Sequence, residues 1–316
     1  MKNFCNIIPE LCSPALQEKI QLLYENLSKQ NLLPQDISLK LNGFEPDSSN
    51  LFFVSVEKDD EHDMQDLMNK INLKTNRIVI VPNGKENYFD FAIKYNICDI
   101  IHIDKLNEDI LLGILKCFLK KDFDLNSFFG VQKNIFDKSY SISGNISMLR
   151  LIENTFADFI DKIQCSAKNT FIINCHELVT NAIAYGVLGI TAYVRDKKDH
   201  DIHDIIDYAN INIPQDKEIN VRLIMNKDSY GISVKDFGGL LTKRRVLERI
   251  RRQSAVEGET IPLGIEDHTG RGLTILSHHG LLLFSIRPKI STEVSLISRL
   301  DSTIGKNPIS ILTKEF

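Results

Sequence analysis

Glu177-Leu-Val-Thr-Asn181-Ala-Ile-Ala-Tyr185-Gly186 is the stretch on which the reading of this chain turns. Its apolar residues recur at helical spacing, and a helix over about 170–185 places Glu177 and Asn181, four residues apart, on one face. A carboxylate stacked beside an amide can orient a nucleophile and ligate magnesium, which prefers hard oxygen ligands and commonly bridges protein to substrate phosphates. Two polar residues on a helix surface is the commoner meaning of such a pair. Two later motifs shift the balance.

The first is Asp236-Phe-Gly238-Gly239. It follows two alternating runs, 218–225 and 230–234, that read as paired strands joined by the turn 226–229. A carboxylate at the end of the second strand can accept a hydrogen bond from an adenine amino group, and two glycines let backbone approach a ligand closely. Strand-to-loop turns of the Asp-x-Gly kind are also abundant without any ligand. The second motif is Gly270-Arg271-Gly272-Leu273-Thr274, ahead of an apolar helical run to His278. Glycines before a helix expose N–H groups at its positive end, where phosphate is favoured. Each motif alone is weak; in this order they form an inventory for a nucleoside triphosphate.

Between the second and third motifs, residues 242–252 read as a basic helix carrying Lys243, Arg244, Arg245, Arg249, Arg251 and Arg252. A solvated face and a phosphate- or partner-contacting face are equally compatible with it. The glycine-bearing stretch 253–269 has the composition of a mobile cover over a ligand. A hairpin of 281–286 and 292–297 is expected to follow. The segment Asp196 to Asp207, with His200 and His203, is dense in metal-ligand types but reads as a solvated insertion.

The first half has another rhythm. Runs 51–56, 77–81 and 99–103 read as buried strands, with weaker candidates at 4–8 and 37–41, and helical patterns cover 14–27, 61–71, 85–95 and 107–119. Strand and helix alternating at this spacing imply a parallel sheet with helices on both faces. The pattern breaks over 122–145, where polar turn formers mix with isolated aromatics. The expected organisation is therefore a sheet domain over 1–121, a linker over 122–145 and a second domain over 146–316, opening with a helix at about 146–163.

Composition bounds the rest. The 316 residues suffice for two cored domains. A net charge of −4 gives no reason to expect nucleic acid as a partner. Six scattered cysteines without a Cys-x-x-Cys spacing argue against zinc or redox motifs and suit a reducing compartment. No run approaches the roughly 18 apolar residues of a membrane helix, and no signal peptide is evident, so a cytoplasmic protein without a membrane partner is expected.

The three motifs, in this order and on these elements, resemble the histidine-kinase-like (Bergerat) ATPases, with the likeness covering about residues 146–300. Within that family the chain is most similar to the anti-sigma-factor serine kinases, whose motif helix matches Glu177 to Gly186. The resemblance implies a Bergerat-type α/β sandwich binding ATP and Mg2+, with Glu177 as general base, Asn181 as magnesium ligand and Asp236 as adenine reader. Gly238, Gly239, Gly270 and Gly272 would shape the phosphate and lid region, with Arg271 and Leu273 beside them, and Thr292 would stand next to the adenine carboxylate. Leu240 departs from the family's Asp-x-Gly-x-Gly, which favours an alternative in which nucleotide is bound but not consumed. Residues 122–165 contain no histidine, so that segment has no phospho-accepting histidine.

The first half resembles a response-regulator receiver, a flavodoxin-like domain. Lys105 matches its lysine, whereas Ser55-Val56, Val81-Pro82 and Ile8-Pro9 stand where its acceptor aspartate, hydroxyl residue and acidic pair belong. A phosphoryl acceptor needs a carboxylate nucleophile and clustered acids, so a receiver-like domain without phosphotransfer is expected. Glu57 and Asp59 are nearby, and the strand register is open to a shift of one or two residues. The function implied is an ATP-binding signalling regulator. The serine kinase would act on an anti-anti-sigma-type protein or serve a sigma factor, and the chain is a candidate homodimer; the rival is a non-catalytic nucleotide-dependent switch.

Overall fold

The structure is a computed structural model that describes residues 3–7, 12–34, 37–41, 49–55, 65–66, 68–69, 77–82, 88–120, 125–129, 134–163, 165–190, 210–253, 272–301 and 310–316. The chain is α/β, and its described residues fall into two compact units, 3–129 with 310–312 and 134–253 with 272–301 and 313–316.

The first unit contains β1 (Asn3–Ile7), α1 (Pro14–Lys29), β2 (Ile37–Leu41), β3 (Ser49–Val54), β4 (Arg77–Ile80), α2 (Tyr88–Tyr95), β5 (Ile100–Ile101), α3 (Glu108–Lys120) and α4 (Asn126–Phe129). Its strands run parallel in the order β2-β1-β3-β4-β5, with Ser310 and Ile311 pairing antiparallel to Ile101 and Ile100. β3 is buried along its whole length, which is why it reads as a continuous apolar run rather than an alternating one. α1 starts where Ser13 caps it, its hydroxyl accepting from the Leu16 N–H, with Pro14 in the first turn. Arg77 and Asp99, each at the entrance of a strand, form a two-bonded ion pair at 2.5 and 2.6 Å. Ser55 closes β3 and accepts a hydrogen bond from the Ser13 N–H at 2.6 Å.

The second unit contains β6 (Phe136–Ile142), β7 (Gly144–Ile146), α5 (Cys165–Asn181), β8 (Ile211–Ile213), β9 (Ile219–Met225), β10 (Ser229–Asp236), α6 (Lys243–Arg252), α7 (Gly272–His279), β11 (Leu281–Arg287) and β12 (Ser291–Arg299). Its main sheet is antiparallel in the order β11-β12-β10-β9-β6, and β7 pairs with β8 separately. The buried residues Tyr230, Ile232, Val234 and Asp236 alternate along β10 toward the helices. Phe171 of α5 packs 5.8 Å from the Tyr230 ring and 4.8 Å from Phe159, which meets Phe136 edge-on at 4.9 Å. One buried polar chain crosses this core: His279 Nδ1 lies 2.5 Å from Asn174 Oδ1, and Asn174 Nδ2 donates to the Tyr230 hydroxyl at 3.0 Å. With both amide atoms engaged, the hydrogen bonds offset the cost of burying a polar residue in mid-helix and tie α5 to α7 and β10.

Three expectations are corrected. Among the described residues of 122–145, where a linker was expected, α4 buries Phe128 and Phe129 and β6 pairs with β9 over its full length. β6 is an edge strand with buried Phe136 and Ile142 at its ends and mostly exposed residues between, so its polarity masked it in the sequence. The helix expected at 146–163 is broken into turns at 148–150, 151–155 and 157–160. Phe156 leaves helical geometry at φ −104°, its fully buried ring set against Tyr140 at 5.2 Å. The motif helix stops being α-helical at Asn181 and continues as a wider π turn over Ala182–Val187. Among the described residues no helix is long and apolar enough to cross a membrane.

Candidate functional site

The π turn sets the site. It spends extra residues on one turn, so the backbone of Gly186 swings onto the end of β10 instead of continuing along the helix. A Cβ on Gly186 would overlap the side chain of Asp236, and a Cβ on Gly238 would lie 2.6 Å from the Gly186 Cα. Only glycine tolerates this three-way approach. Gly239 turns the chain at φ +58°, and its carbonyl accepts from the Lys289 N–H at 2.9 Å, tying the loop to the β11–β12 turn. Gly186→Ala is expected to cost about 1–3 kcal/mol of stability through overpacking, read as a lower urea midpoint.

Asp236 ends β10 with 7% of its surface exposed. Its Oδ1 accepts from the Gly238 N–H at 2.8 Å. Burial pushes this carboxyl up to about 6, against the opposing pull of the Gly238 and Gly239 N–H groups. Thr292 is its direct cross-strand neighbour on β12 and is also buried. Both line a cleft whose space, counted out to its open mouth, is about 730 Å³.

Asn181 and Leu273 line the same cleft, and Gly272 sits at the start of α7 against the Glu177 carboxylate, its Cβ direction ending 3.4 Å from Asn181 Nδ2. Asn181 Nδ2 is buried without a hydrogen-bond partner. Buried amides are rarely left so. Asn181 lines the cleft one helical turn after the Glu177 carboxylate, and its unpartnered nitrogen is a hydrogen-bond donor closed off from solvent. Gly270 and Arg271 lie outside the described residues, as do His200 and His203; among the described residues no cluster of three or more histidine, cysteine or acidic side chains could hold a metal alone. An ion at Asn181 would therefore depend on the ligand's own oxygens.

Sequence reasoning did not assign the walls. Leu178 and Ala182 from α5, Ile190 after the π turn, and Val234 and Val294 from the sheet supply the apolar surface. Leu178 and Ala182 stand one residue after Glu177 and Asn181 at the same four-residue spacing, a signal open to recognition. Tyr185, Arg245 and Arg249 complete the lining, with Leu240 and Leu241 before α6. The Arg249 guanidinium lies 4.8 Å over the Tyr185 ring, and Arg245 donates to the Leu240 carbonyl at 3.1 Å. One face of the basic helix thus borders the cleft, while Arg244 pairs with Glu248 on the exposed side.

The chain matches no protein-family model and no curated protein sequence. The functional reading accordingly rests on the geometry of this cleft.

Proposed function

We propose that the second unit is a Bergerat-type ATP-binding domain and that the protein is an ATP-binding signalling regulator, a serine/threonine kinase of the anti-sigma-factor type. The observation that carries this reading is one cleft that brings the buried Asp236 and Thr292 together with Asn181, against which Gly272 and the Glu177 carboxylate are packed.

In this reading the Asp236 carboxylate accepts a hydrogen bond from the adenine amino group, and the apolar walls enclose the ring. Asn181 would hold Mg2+ through its amide oxygen; bound there, the ion supplies charge neutralisation along the phosphate chain. Glu177 accepts the proton of a serine or threonine hydroxyl on a partner protein as the oxygen attacks the γ-phosphorus, and the bond from that phosphorus to the β,γ-bridging oxygen breaks to release ADP. Catalysis is then mostly positioning. The partner is an anti-anti-sigma-type protein, with a sigma factor as the other client. The first unit, with its parallel 2-1-3-4-5 strand order, is a flavodoxin-like, receiver-like module serving recognition or homodimerisation. Ser55, bonded to the cap of α1, takes the place of a phospho-accepting carboxylate.

A second reading, nucleotide binding without transfer, is favoured by one observation: Leu240 lines the cleft where the family has glycine. Calorimetry with ATP, with and without Mg2+, tests the shared premise. Micromolar, Mg2+-dependent binding is expected; no binding by the wild-type protein refutes both readings.

A further inference from the structure

The same cleft carries two cations that the motifs do not explain. Of the described residues lining it, Asp236, Arg245 and Arg249 are the side chains charged near neutral pH, so the wall built by α6 is positive and the cleft holds one buried carboxylate. α6 is not loosely laid there. Thr242 caps it by accepting from the Arg245 N–H, Val246, Leu247 and Ile250 are buried, and Arg245 is tied to the Leu240 carbonyl.

Arg249 is held differently. Its guanidinium carbon lies 4.8 Å over the ring of Tyr185, in the π turn one residue before the glycine that touches Asp236. A cation–π contact uses none of the guanidinium N–H donors as hydrogen bonds, so they remain available to a phosphate or carboxylate. A cation that rests against an aromatic ring gives up part of its rotamer freedom before a ligand arrives, which lowers the entropic cost of binding an anion.

We infer that Arg249, positioned on Tyr185, is a specificity-determining residue that reads the anionic tail of the nucleotide and makes the cleft select di- and triphosphates over the nucleoside. The inference rests on the nucleotide reading above and adds to it the half of the ligand that Asp236 does not see. Arg245 raises the local positive potential, while its hydrogen bond to Leu240 gives it a structural role as well.

The test is calorimetric titration of the full chain with ATP, ADP and adenosine, on wild type, Arg249→Gln, Arg249→Lys and Tyr185→Leu. Wild type should prefer ATP to adenosine. Arg249→Gln should weaken ATP about 10-fold or more, the scale of a charge-assisted hydrogen bond, and leave adenosine within about twofold. Arg249→Lys should restore ATP only in part, because the stacked fork is lost. Tyr185→Leu should lower ATP affinity in the same direction. Adenosine binding reports that each variant is folded, and the loss at Arg249 should shrink at high salt. Equal losses for ATP and adenosine in Arg249→Gln, or unchanged ATP affinity, would overturn the inference while leaving the nucleotide site standing. A wild-type protein that binds none of the three ligands overturns the underlying reading instead.

Discussion

Asp236→Asn should weaken ATP binding about 10- to 100-fold and at the same time make the ligand-free protein more stable at neutral pH. The first effect is the loss of a charged acceptor for the adenine amino group, worth about 1.5–3 kcal/mol. The second follows from burial. The carboxyl has an ordinary value of 3.8 and is pushed up to about 6 in the folded chain. Between those values the native state holds a proton that the unfolded state has released, so stability falls as pH rises through this window. Above about pH 6 the full cost of the buried charge is present, about 2–3 kcal/mol for a shift of this size. Asparagine is neutral at every pH and can still accept from the Gly238 N–H. Urea denaturation should therefore show the variant more stable at pH 7 and the difference fading toward pH 4. ATP affinity of the wild type should run the opposite way, falling as pH drops through about 6. Equal stability of the two proteins at pH 7 would count against a charged, desolvated Asp236.

Glu177→Ala should lower phosphate transfer to a partner hydroxyl by about 10²- to 10⁴-fold, the usual contribution of a general base. Its ATP affinity should stay within a few-fold of wild type, because Glu177 is absent from the lining of the cleft whereas Asn181 belongs to it. Radiolabel transfer to candidate partners, paired with calorimetry on the same samples, separates the two quantities. A variant that transfers phosphate as fast as wild type would remove Glu177 from the chemistry. Loss of transfer together with loss of ATP binding would assign it to the binding site.

Much of the secondary structure was legible because each half is locally consistent. β3 and β4 are short apolar runs, α1 announces itself with Ser13-Pro14, and β9 and β10 alternate around the Asn226 turn, whose side chain accepts from the Asp228 and Ser229 N–H groups. β6 was not legible, since a half-exposed edge strand carries little apolar signal and gains its hydrogen bonds only when β9 is beside it. Nor was the break at Phe156, whose backbone departs from the helix where its ring packs against Tyr140. At the site, Glu177, Asn181, Asp236 and Thr292 could be named from spacing and resemblance, while the roles of Tyr185 and Arg249 could not: an aromatic and a basic residue 64 positions apart by their numbers give no sign of stacking.

By itself the sequence determined the α/β character, the placement of most strands and helices, and the residue types available for nucleotide chemistry, because hydrophobic period, capping and turn chemistry act within a few residues. Tertiary structure alone decided that Gly186 rests on Asp236, that Asn181 is left without a partner beside Gly272, and that one face of α6 turns its cations toward the cleft. Those facts depend on where a π turn aims the backbone and on which buried surfaces close over one another, and such contacts join residues too distant in the chain for any local pattern to encode.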